Sequence, residues 1–311
     1  MTYVLTLGNQ KGGCSKTSST INLAYALASK GKKVLVIDMD SQGSASLNLG
    51  IDIGDEETNT IDEMLDDMIL KPNEPVDWEV LRNYIYEPTY QDRKRNPENP
   101  MKWIDCYTPF GFYVMPSSLN LSVVELKMGL AGGASRQGIR TDYLSKITDC
   151  IAQNTDIEYI LIDTPPSLGA LSMNSMAAAK EGIIIISNVD VMSVRGISTF
   201  IETSETIKKL VPGHRGILGI MFSLYKERRR IDCSINEWAK EFLPIPTFDT
   251  QIPESLAFKK ANSAMLLASQ IDKGVREAFE SLADEVIYAV ENPTALVGSA
   301  KEASNQNGGD E

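Results

Sequence analysis

Residues 8–17 read GNQKGGCSKT, and this stretch decides how the rest of the sequence is interpreted. It follows the apolar run Val4–Leu7, which predicts a buried strand, and it precedes a segment with helical spacing that ends at Gly31. Glycines between a strand and a helix let backbone N–H groups turn inward around phosphates, and the helix N-terminus adds partial positive charge. An ordinary glycine turn is the alternative, but the strand–loop–helix context favours a phosphate-binding loop.

Two side chains of this stretch suit nucleotide chemistry directly. Lys16 can reach the β- and γ-phosphates of a nucleotide, and the Thr17 hydroxyl can bind Mg²⁺. The general phosphate-loop pattern has glycine just before the lysine, and Ser15 stands there instead, which leaves the backbone torsion of the loop open. The predicted nucleotide contacts in this part of the chain are Lys11, Gly12, Gly13, Cys14, Ser15, Lys16, Thr17 and Ser18.

Six short apolar runs alternate with longer segments of helical spacing. Several are apolar at consecutive positions, as in strands covered by helices on both faces. The alternation predicts an α/β fold with a doubly wound, mostly parallel sheet, and the loop makes it a P-loop NTPase. The runs are Val4–Leu7, Val34–Ile37, Tyr113–Met115, Tyr159–Ile162, Ile183–Ile186 and Ile217–Phe222.

The same reading gives the domain organisation. We expect a single domain over residues 1–292, with a surface insertion at 71–110, where Pro, Asn and charged residues are frequent. Residues 293–311 are polar, glycine-containing and acidic, and we expect them to be disordered.

Composition limits the class of protein. The chain has 311 residues, a net charge of −12 and four widely spaced cysteines, which argues against a disulfide framework or a metal cage within one chain. No signal peptide or apolar stretch of roughly 18 residues is present, so we expect a cytoplasmic protein. The average field repels nucleic acid and anionic membranes, so any DNA contact needs a local basic patch.

The run Lys-Gly-Gly-x-x-Lys-Thr at residues 11–17 resembles the deviant Walker A motif of the ParA/MinD ATPases. The resemblance implies that Lys11 crosses a homodimer interface and touches the phosphates bound by the partner subunit. It would then act much as an arginine finger does, where charge develops on the transferred phosphoryl group.

Two further segments resemble this family in the right order. Residues 38–43, DMDSQG, match its Asp-x-Asp-x-Gln-Gly segment, which implies that Asp40 orients or activates the attacking water and that Asp38 supports the magnesium shell. Residues 159–166, YILIDTPP, have the Walker B form, which implies that Asp163 binds magnesium directly or through water. The adjoining residues 164–169 resemble the second switch, and two prolines would let it move as a unit.

A late Ile-Pro pair completes the resemblance, which covers most of residues 1–290. In the family the segment after this pair lies along the adenine, so Ile252, Pro253 and Glu254 are implied adenine contacts.

The family divides by what the closed dimer binds. A membrane-binding MinD-like member needs a basic amphipathic helix at its end, but here the last helical run carries five acids and one arginine. A metal-cluster carrier needs cysteines at the dimer face, and the cysteines here are isolated. Basic residues in the C-terminal half favour the DNA-binding branch, although a solvated face is the alternative. The candidates are Lys208, Lys209, Lys226, Arg228, Arg229, Arg230, Lys259 and Lys260.

The sequence thus predicts a short, ParA/Soj-like ATPase with no site-specific DNA-binding module. We expect it to bind ATP and Mg²⁺, to dimerise, to bind DNA nonspecifically and to associate with the nucleoid when ATP-bound. A ParB-like or other partner would stimulate an otherwise weak hydrolysis, and the cargo would be a plasmid, a chromosome or another assembly. The open alternatives are a MinD-like ATPase at a membrane surface and a metal-cluster carrier of the same fold.

Overall fold

A computed structural model describes residues 1–95, 101–134, 140–188, 191–226 and 245–293. Six parallel strands form the central sheet in the order β5-β2-β6-β1-β7-β8. They are β1 (Tyr3–Gly8), β2 (Val34–Asp38), β5 (Tyr113–Met115), β6 (Tyr159–Asp163), β7 (Gly182–Asn188) and β8 (Ile217–Ser223). Each of the six predicted apolar runs is one of these strands, so the predicted parallel sheet is confirmed.

Helices cover both faces of the sheet. Those that precede β7 are α1 (Lys16–Ser29), α2 (Ser44–Asn48), α3 (Ile61–Leu70), α4 (Trp78–Leu81), α5 (Leu121–Ala134), α6 (Tyr143–Asn154) and α7 (Ala170–Ala178). Those that follow it are α8 (Val191–Leu210), α9 (Ala257–Ala264), α10 (Ala268–Ile271) and α11 (Lys273–Glu291). The helix predicted to begin at Ile197 begins six residues earlier and ends at Leu210 as expected.

Alternate residues of each strand enter different cores. In β2, Val34 and Val36 pack with α1 and α11, whereas Leu35 and Ile37 pack with α3, α5 and α6 on the other face. Because both faces are covered, every residue of β2 is buried, which is why its sequence shows no polar alternation. The doubly wound arrangement follows directly from this pattern.

The region predicted as a surface insertion contains an antiparallel pair of strands, β3 (Thr89–Arg95) and β4 (Trp103–Pro109). The Tyr90 ring lies 4.9 Å from that of Phe110, and Tyr90 packs against the core on the α1 side. The pair is therefore anchored to the main core through Tyr90. The single-domain assignment stays a prediction, and the tail beyond residue 293 lies outside the described residues.

The strand order places the functional residues. Strand β1 lies between β6 and β7. The helix after β1, α1, packs on one face of the sheet and the helix after β6, α7, packs on the other, so the carboxyl ends of these strands border a crevice. The phosphate loop leaves β1 at this edge, and the predicted acidic residues leave β2 and β6 beside it. Among the helices of the described ranges, none combines the length and apolar character that crossing a membrane requires.

Candidate nucleotide site

The loop between β1 and α1 contains two left-handed residues. Gly13 has a φ of 72°, and Ser15, the N-cap of α1, has a φ of 61° and a ψ of 25°. A left-handed conformation costs a non-glycine residue about 1–2 kcal/mol, and Ser15 adopts it where the general motif has glycine. The torsion left open by the sequence is thus left-handed, a conformation that glycine adopts readily and serine adopts at the cost of local strain.

Long-range hydrogen bonds fix this loop to the sheet. The Asn9 side-chain amide donates to the Ile186 carbonyl at 2.6 Å, and its oxygen accepts from the Lys11 N–H at 3.1 Å. The Ser223 hydroxyl donates to the Cys14 carbonyl at 2.9 Å. The sequence reasoning missed Asn9 and Ser223. Asn9 lies in the quoted motif and could have been considered, whereas nothing near Ser223 signals its role.

The Lys16 side chain is turned into the loop. Only 7% of Lys16 is exposed, and its Nζ donates to the Lys11 carbonyl at 3.1 Å. The adjacent Cys14 is fully buried, and burial raises the pKa of its thiol, which disfavours the reactive thiolate form. A buried ammonium bonded to a carbonyl is ready to exchange that neutral partner for phosphate oxygens.

Asp163 links the Walker B strand to α1. Its carboxylate accepts from the hydroxyl groups of Thr17 at 2.6 Å and Thr20 at 3.2 Å. It also pairs in register with Asp38 on the neighbouring strand, and both aspartates are fully buried. Burial, and secondarily the charge of Asp38, raise the pKa of Asp163, while burial raises that of Asp38.

The donor set at this point fits a hard divalent cation. It offers a threonine hydroxyl and buried carboxylate oxygens, the ligand type that Mg²⁺ prefers. The described residues include no group of three His, Cys, Asp or Glu side chains that could hold a metal by themselves. Mg²⁺ commonly retains waters and substrate phosphates as ligands, so a Thr17–Asp163 pair beside a phosphate cradle is a suitable arrangement.

Asp40 lies at the mouth of the crevice, and Asp38 orders the turn behind it. The two oxygens of Asp38 accept from the Asp40 N–H at 3.1 Å, and from the Ser46 N–H at 3.0 Å and hydroxyl at 2.7 Å. The carboxylate of Asp40 accepts from the Gln42 N–H at 3.0 Å. Asp38 therefore acts as a structural anchor in this structure, and its predicted support of magnesium remains a prediction.

One cavity of about 340 Å³ brings the three predicted motifs together. The phosphate loop forms one wall, Asp40 another, and Pro166 of the second switch a third. Lys11, which precedes the lining residue Gly12 in the loop, is exposed. The lining residues are Gly12, Gly13, Ser15, Lys16, Thr17, Ser18, Asp40, Ser44, Leu47, Asn48, Pro166 and Asn262.

The second switch is held at both ends. Its first residue, Thr164, donates from its hydroxyl to the Leu7 carbonyl at 2.9 Å. At its far end the Leu171 N–H donates to a Glu125 carboxylate oxygen at 3.4 Å, and a side chain at Gly169 would collide with that oxygen. Glu125 was missed by the sequence reasoning, because an acid on a distant helix gives no local sign of this contact.

The implied adenine segment does not line this cavity. Ile252 is buried in the core and its N–H donates to the Phe222 carbonyl at 2.9 Å, which extends the sheet edge. Glu254 forms an ion pair with Lys226. The cavity wall on this side is instead Asn262 of α9, which the sequence reasoning did not identify. Adenine contact by Ile252, Pro253 and Glu254 stays a prediction.

The basic candidates are divided between opposite edges of the sheet. Lys208 and Lys209 are exposed in the last turn of α8, and Lys208 lies against Gly216, just before β8 begins. Lys259 and Lys260 are exposed on α9, the helix that borders the cavity at the carboxyl edge. Lys226 is engaged with Glu254, and Arg228, Arg229 and Arg230 lie outside the described residues.

His214, next to these lysines in the chain, has a structural role. It is buried, and the Gly216 N–H donates to its Nδ1 at 2.8 Å, which leaves the proton on Nε2 to be donated to the Met176 carbonyl, also at 2.8 Å. Burial lowers the pKa of His214, so the ring is neutral and contributes no charge to a basic surface.

Comparison with known proteins agrees with this architecture. Residues 2–214 match the family described as an AAA domain. The chain is 28% identical to the chromosome partitioning protein ParA of Caulobacter vibrioides, over 91% of this chain and 93% of that protein. It is 27% identical to the sporulation initiation inhibitor protein Soj of Bacillus subtilis, over 92% of this chain and 98% of that protein.

Solved structures share the fold. Cobyrinic acid a,c-diamide synthase of Mycobacterium smegmatis, with bound ATP analogue and magnesium, superposes with a TM-score of 0.69 at 22% identity, covering 95% and 98% of the two chains. The septum site-determining protein MinD of Pyrococcus horikoshii, complexed with Mg-ADP, gives a TM-score of 0.65 at 22% identity, covering 92% and 96%. The chain therefore belongs to the AAA-domain family, and it is similar to the ParA and Soj proteins over most of its length.

Proposed function

We propose that this protein is an ATP-driven partition or positioning switch. The observation that carries the proposal is the single cavity at which the phosphate loop, Asp40 and the second switch meet. A phosphate group seated there would be sensed by all three segments at once, which is how a γ-phosphate can control the conformation of a protein.

Specific residues take the roles of nucleotide binding. Lys16 and the N–H groups of the phosphate loop hold the phosphates, and Thr17 and Asp163 hold Mg²⁺, with Asp38 in support. When bound, Mg²⁺ supplies neutralisation of charge on the β- and γ-phosphates. Asp40 orients the attacking water or removes its proton, since its carboxylate lies at the cavity on a turn fixed by Asp38. The weak hydrolysis expected of this arrangement would rise when a ParB-like or other partner binds.

Closure into a homodimer would complete the site through Lys11. Lys11 is exposed in the loop beside the lining residue Gly12, so a second copy could bring its own Lys11 toward the same phosphates. Lys11→Ala should retain ATP binding, because each subunit keeps its own cradle, but should lose the ATP-dependent dimer. Sedimentation with and without ATP measures this directly, and normal ATP-dependent dimers would remove the cross-subunit role of Lys11.

The closed dimer would bind DNA through its phosphates, without sequence preference. Two weak basic surfaces act together in a dimer, because binding of the first raises the effective concentration of the second. Binding should require ATP and fall steeply with added salt, as counterion release demands. Nucleoid association would then occur in the ATP-bound state only.

Because the lysines lie at two different edges of the sheet, charge-reversal variants can show at which edge DNA binds. Three charge-reversal variants separate the candidates: Arg228, Arg229 and Arg230 to Glu; Lys208 and Lys209 to Glu; and Lys259 and Lys260 to Glu. We expect the arginine variant to abolish gel shifts on two unrelated duplexes while ATP-dependent dimers persist. If only the Lys208/Lys209 variant loses binding, DNA lies at the amino edge of the sheet.

Failure of the unmodified protein to shift DNA at low salt with ATP would refute the DNA-binding mechanism. Flotation with anionic liposomes would then test the membrane alternative, and stoichiometric iron in the purified protein would support the cluster-carrier alternative.

A further inference from the structure

A network of hydrogen bonds holds the Asp40 backbone from both sides. The N–H of Asp40 donates to the Asp38 carboxylate at 3.1 Å. The carbonyl of Asp40 accepts from the Ser117 hydroxyl at 2.7 Å and from the Gly43 N–H at 2.8 Å. Ser117 follows the edge strand β5 and lies 77 positions away in the chain, so the contact is a tertiary one.

Ser46 joins the two sides of this network. Its hydroxyl donates to Asp38 at 2.7 Å and accepts from the Ser117 N–H at 3.2 Å. Ser46, Ser117 and Asp38 are all fully buried, so water does not compete for these bonds. The three residues therefore fix the position of the Asp40 turn before any nucleotide binds.

The Ser117 segment is itself anchored to the start of α3. The Ser118 N–H and hydroxyl each donate to the Asp62 carboxylate at 3.1 Å, and the Ile61 N–H donates to the Pro116 carbonyl at 2.8 Å. Asp62 is a buried acid, with 2% of its surface exposed, that has no part in nucleotide binding as described above. These hydrogen bonds explain why Asp62 is buried, and they hold the segment that contains Ser117 in position.

We infer that Ser117 and Ser46 are positioning residues for hydrolysis, which act through Asp40 and do not touch the nucleotide. The inference rests on the proposed role of Asp40 in the function described above. A general base or a water-orienting group loses efficiency when its distance to the water changes by a fraction of an ångström. The Ser117 hydroxyl, as one of two donors to the Asp40 carbonyl, limits that movement.

The predicted signature is a change in rate without a change in nucleotide affinity. Ser117→Ala removes one hydrogen bond from the Asp40 turn and leaves the phosphate cradle intact. Single-turnover hydrolysis of Mg-ATP with protein in excess should slow about three- to tenfold, the rate equivalent of one net hydrogen bond. The Kd for a fluorescent ATP analogue should stay within about twofold of the unmodified value.

Two variants provide the controls. Ser117→Thr keeps the hydroxyl and should restore most of the rate. Ser204→Ala makes the same chemical change at another fully buried serine, on α8, whose hydroxyl has no hydrogen-bond partner among the described residues, and should leave the rate unchanged. Melting temperatures of all variants identify any general loss of stability, and rates are compared at the same interval below each melting temperature.

A double-variant cycle gives an independent test. Because Ser46 and Ser117 act on one turn, Ser46→Ala combined with Ser117→Ala should slow hydrolysis by less than the product of the two single effects. Independent, multiplicative effects would overturn the network, as would an unchanged rate in Ser117→Ala or an equal loss of affinity.

Asp40→Ala separates this inference from the proposed function: normal hydrolysis in that variant refutes the role of Asp40. If Asp40→Ala is inactive while Ser117→Ala is unaffected, the positioning role alone fails.

Discussion

The carboxyl edge of the six-stranded sheet contains buried charged groups, whereas the ion pairs at the amino edge are exposed. Lys16, Asp38 and Asp163 lie at the first edge with at most 7% of their surface accessible. At the other edge, Lys32 pairs with Glu158 and Lys180 with Asp149, with side-chain exposures between 26% and 54%. The same side-chain types thus occur in two very different environments.

This difference separates function from stability. Buried charges held by neutral groups are costly, and folds retain them where a ligand will complete them. Exposed ion pairs add little to the free energy of unfolding, because water stabilises each charge nearly as well as the oppositely charged partner does. Substitutions at the carboxyl edge should therefore change binding strongly, and some should stabilise the protein, while those at the amino edge should do little.

The largest effect is expected for Lys16→Ala. It removes the one side-chain cation of the described cavity lining, so ATP affinity should fall about 100-fold or more, equivalent to about 3 kcal/mol. Titration with a fluorescent ATP analogue measures the loss. Lys180→Ala, at the amino edge, is the matched control and should bind normally. Near-normal binding by the Lys16 variant would refute the phosphate-loop assignment.

Asp163→Asn should stabilise the nucleotide-free protein while impairing Mg-dependent nucleotide binding. Asparagine keeps hydrogen-bonding partners for the hydroxyls of Thr17 and Thr20 and removes a carboxyl group whose ionisation is opposed by burial and by Asp38. The free energy of unfolding at neutral pH should rise by at least about 1 kcal/mol, the equivalent of one unit in the pKa of a buried carboxyl group. Thermal melting without nucleotide measures the gain, and Asp149→Asn at the amino edge is the control.

The gain in stability of Asp163→Asn over the unmodified protein should increase with pH. The native pKa of Asp163 is raised by burial and by Asp38, so above about pH 4 the unfolded chain releases its proton more readily than the native state does. Unmodified protein therefore loses stability as pH rises from about 4 toward the raised native pKa, and the Asn variant lacks this loss. The difference in melting temperature should grow from pH 5 to pH 8. A variant that melts lower at both values would contradict this account.

The carboxyl edge was also the more predictable of the two regions. The sheet followed from continuous apolar runs such as Ile183–Ile186, because a strand covered on both faces leaves a local pattern. Lys16, Thr17 and Asp163 lie in motifs whose spacing carries their chemistry, and the structure places them in contact or in one cavity. The local sequence was enough to predict these features because each depends on residues that are close together in the chain.

Residues that support the site from elsewhere could not be predicted in the same way. Ser117 reaches Asp40 across 77 positions and Ser223 reaches Cys14 across 209, and a lone serine is among the most common of surface residues. The basic runs were recognisable as charge, yet their sequence says nothing about the edge at which each lies. Lys208 and Lys260 were grouped by charge and are separated by the fold.

A smaller effect is expected at Ser15, the strained residue of the phosphate loop. Ser15→Val places a β-branched side chain at a φ of 61° and should lower the free energy of unfolding by about 1–2 kcal/mol relative to Ser15→Gly. Glycine relieves the strain but loses the bond from the Ser15 hydroxyl to the Cys14 carbonyl at 2.6 Å, so its own effect should be small. Urea unfolding of both variants measures the difference. Equal stabilities would mean that the left-handed conformation carries no strain.

The smallest effect is expected for the Lys180–Asp149 pair at the amino edge. Its atoms are 3.2 Å apart, with 39% and 54% of the two side chains exposed, so water and dissolved ions compete with the contact. A double-variant cycle with Lys180→Ala and Asp149→Ala should give a coupling energy below about 0.5 kcal/mol in urea unfolding, which decreases further with added salt. Each single variant should also leave ATP binding unchanged, because the pair lies at the opposite edge from the phosphate loop. A coupling above about 1 kcal/mol would show that the amino edge contributes more to stability than its exposure indicates, and the contrast between the two edges would then have to rest on binding alone.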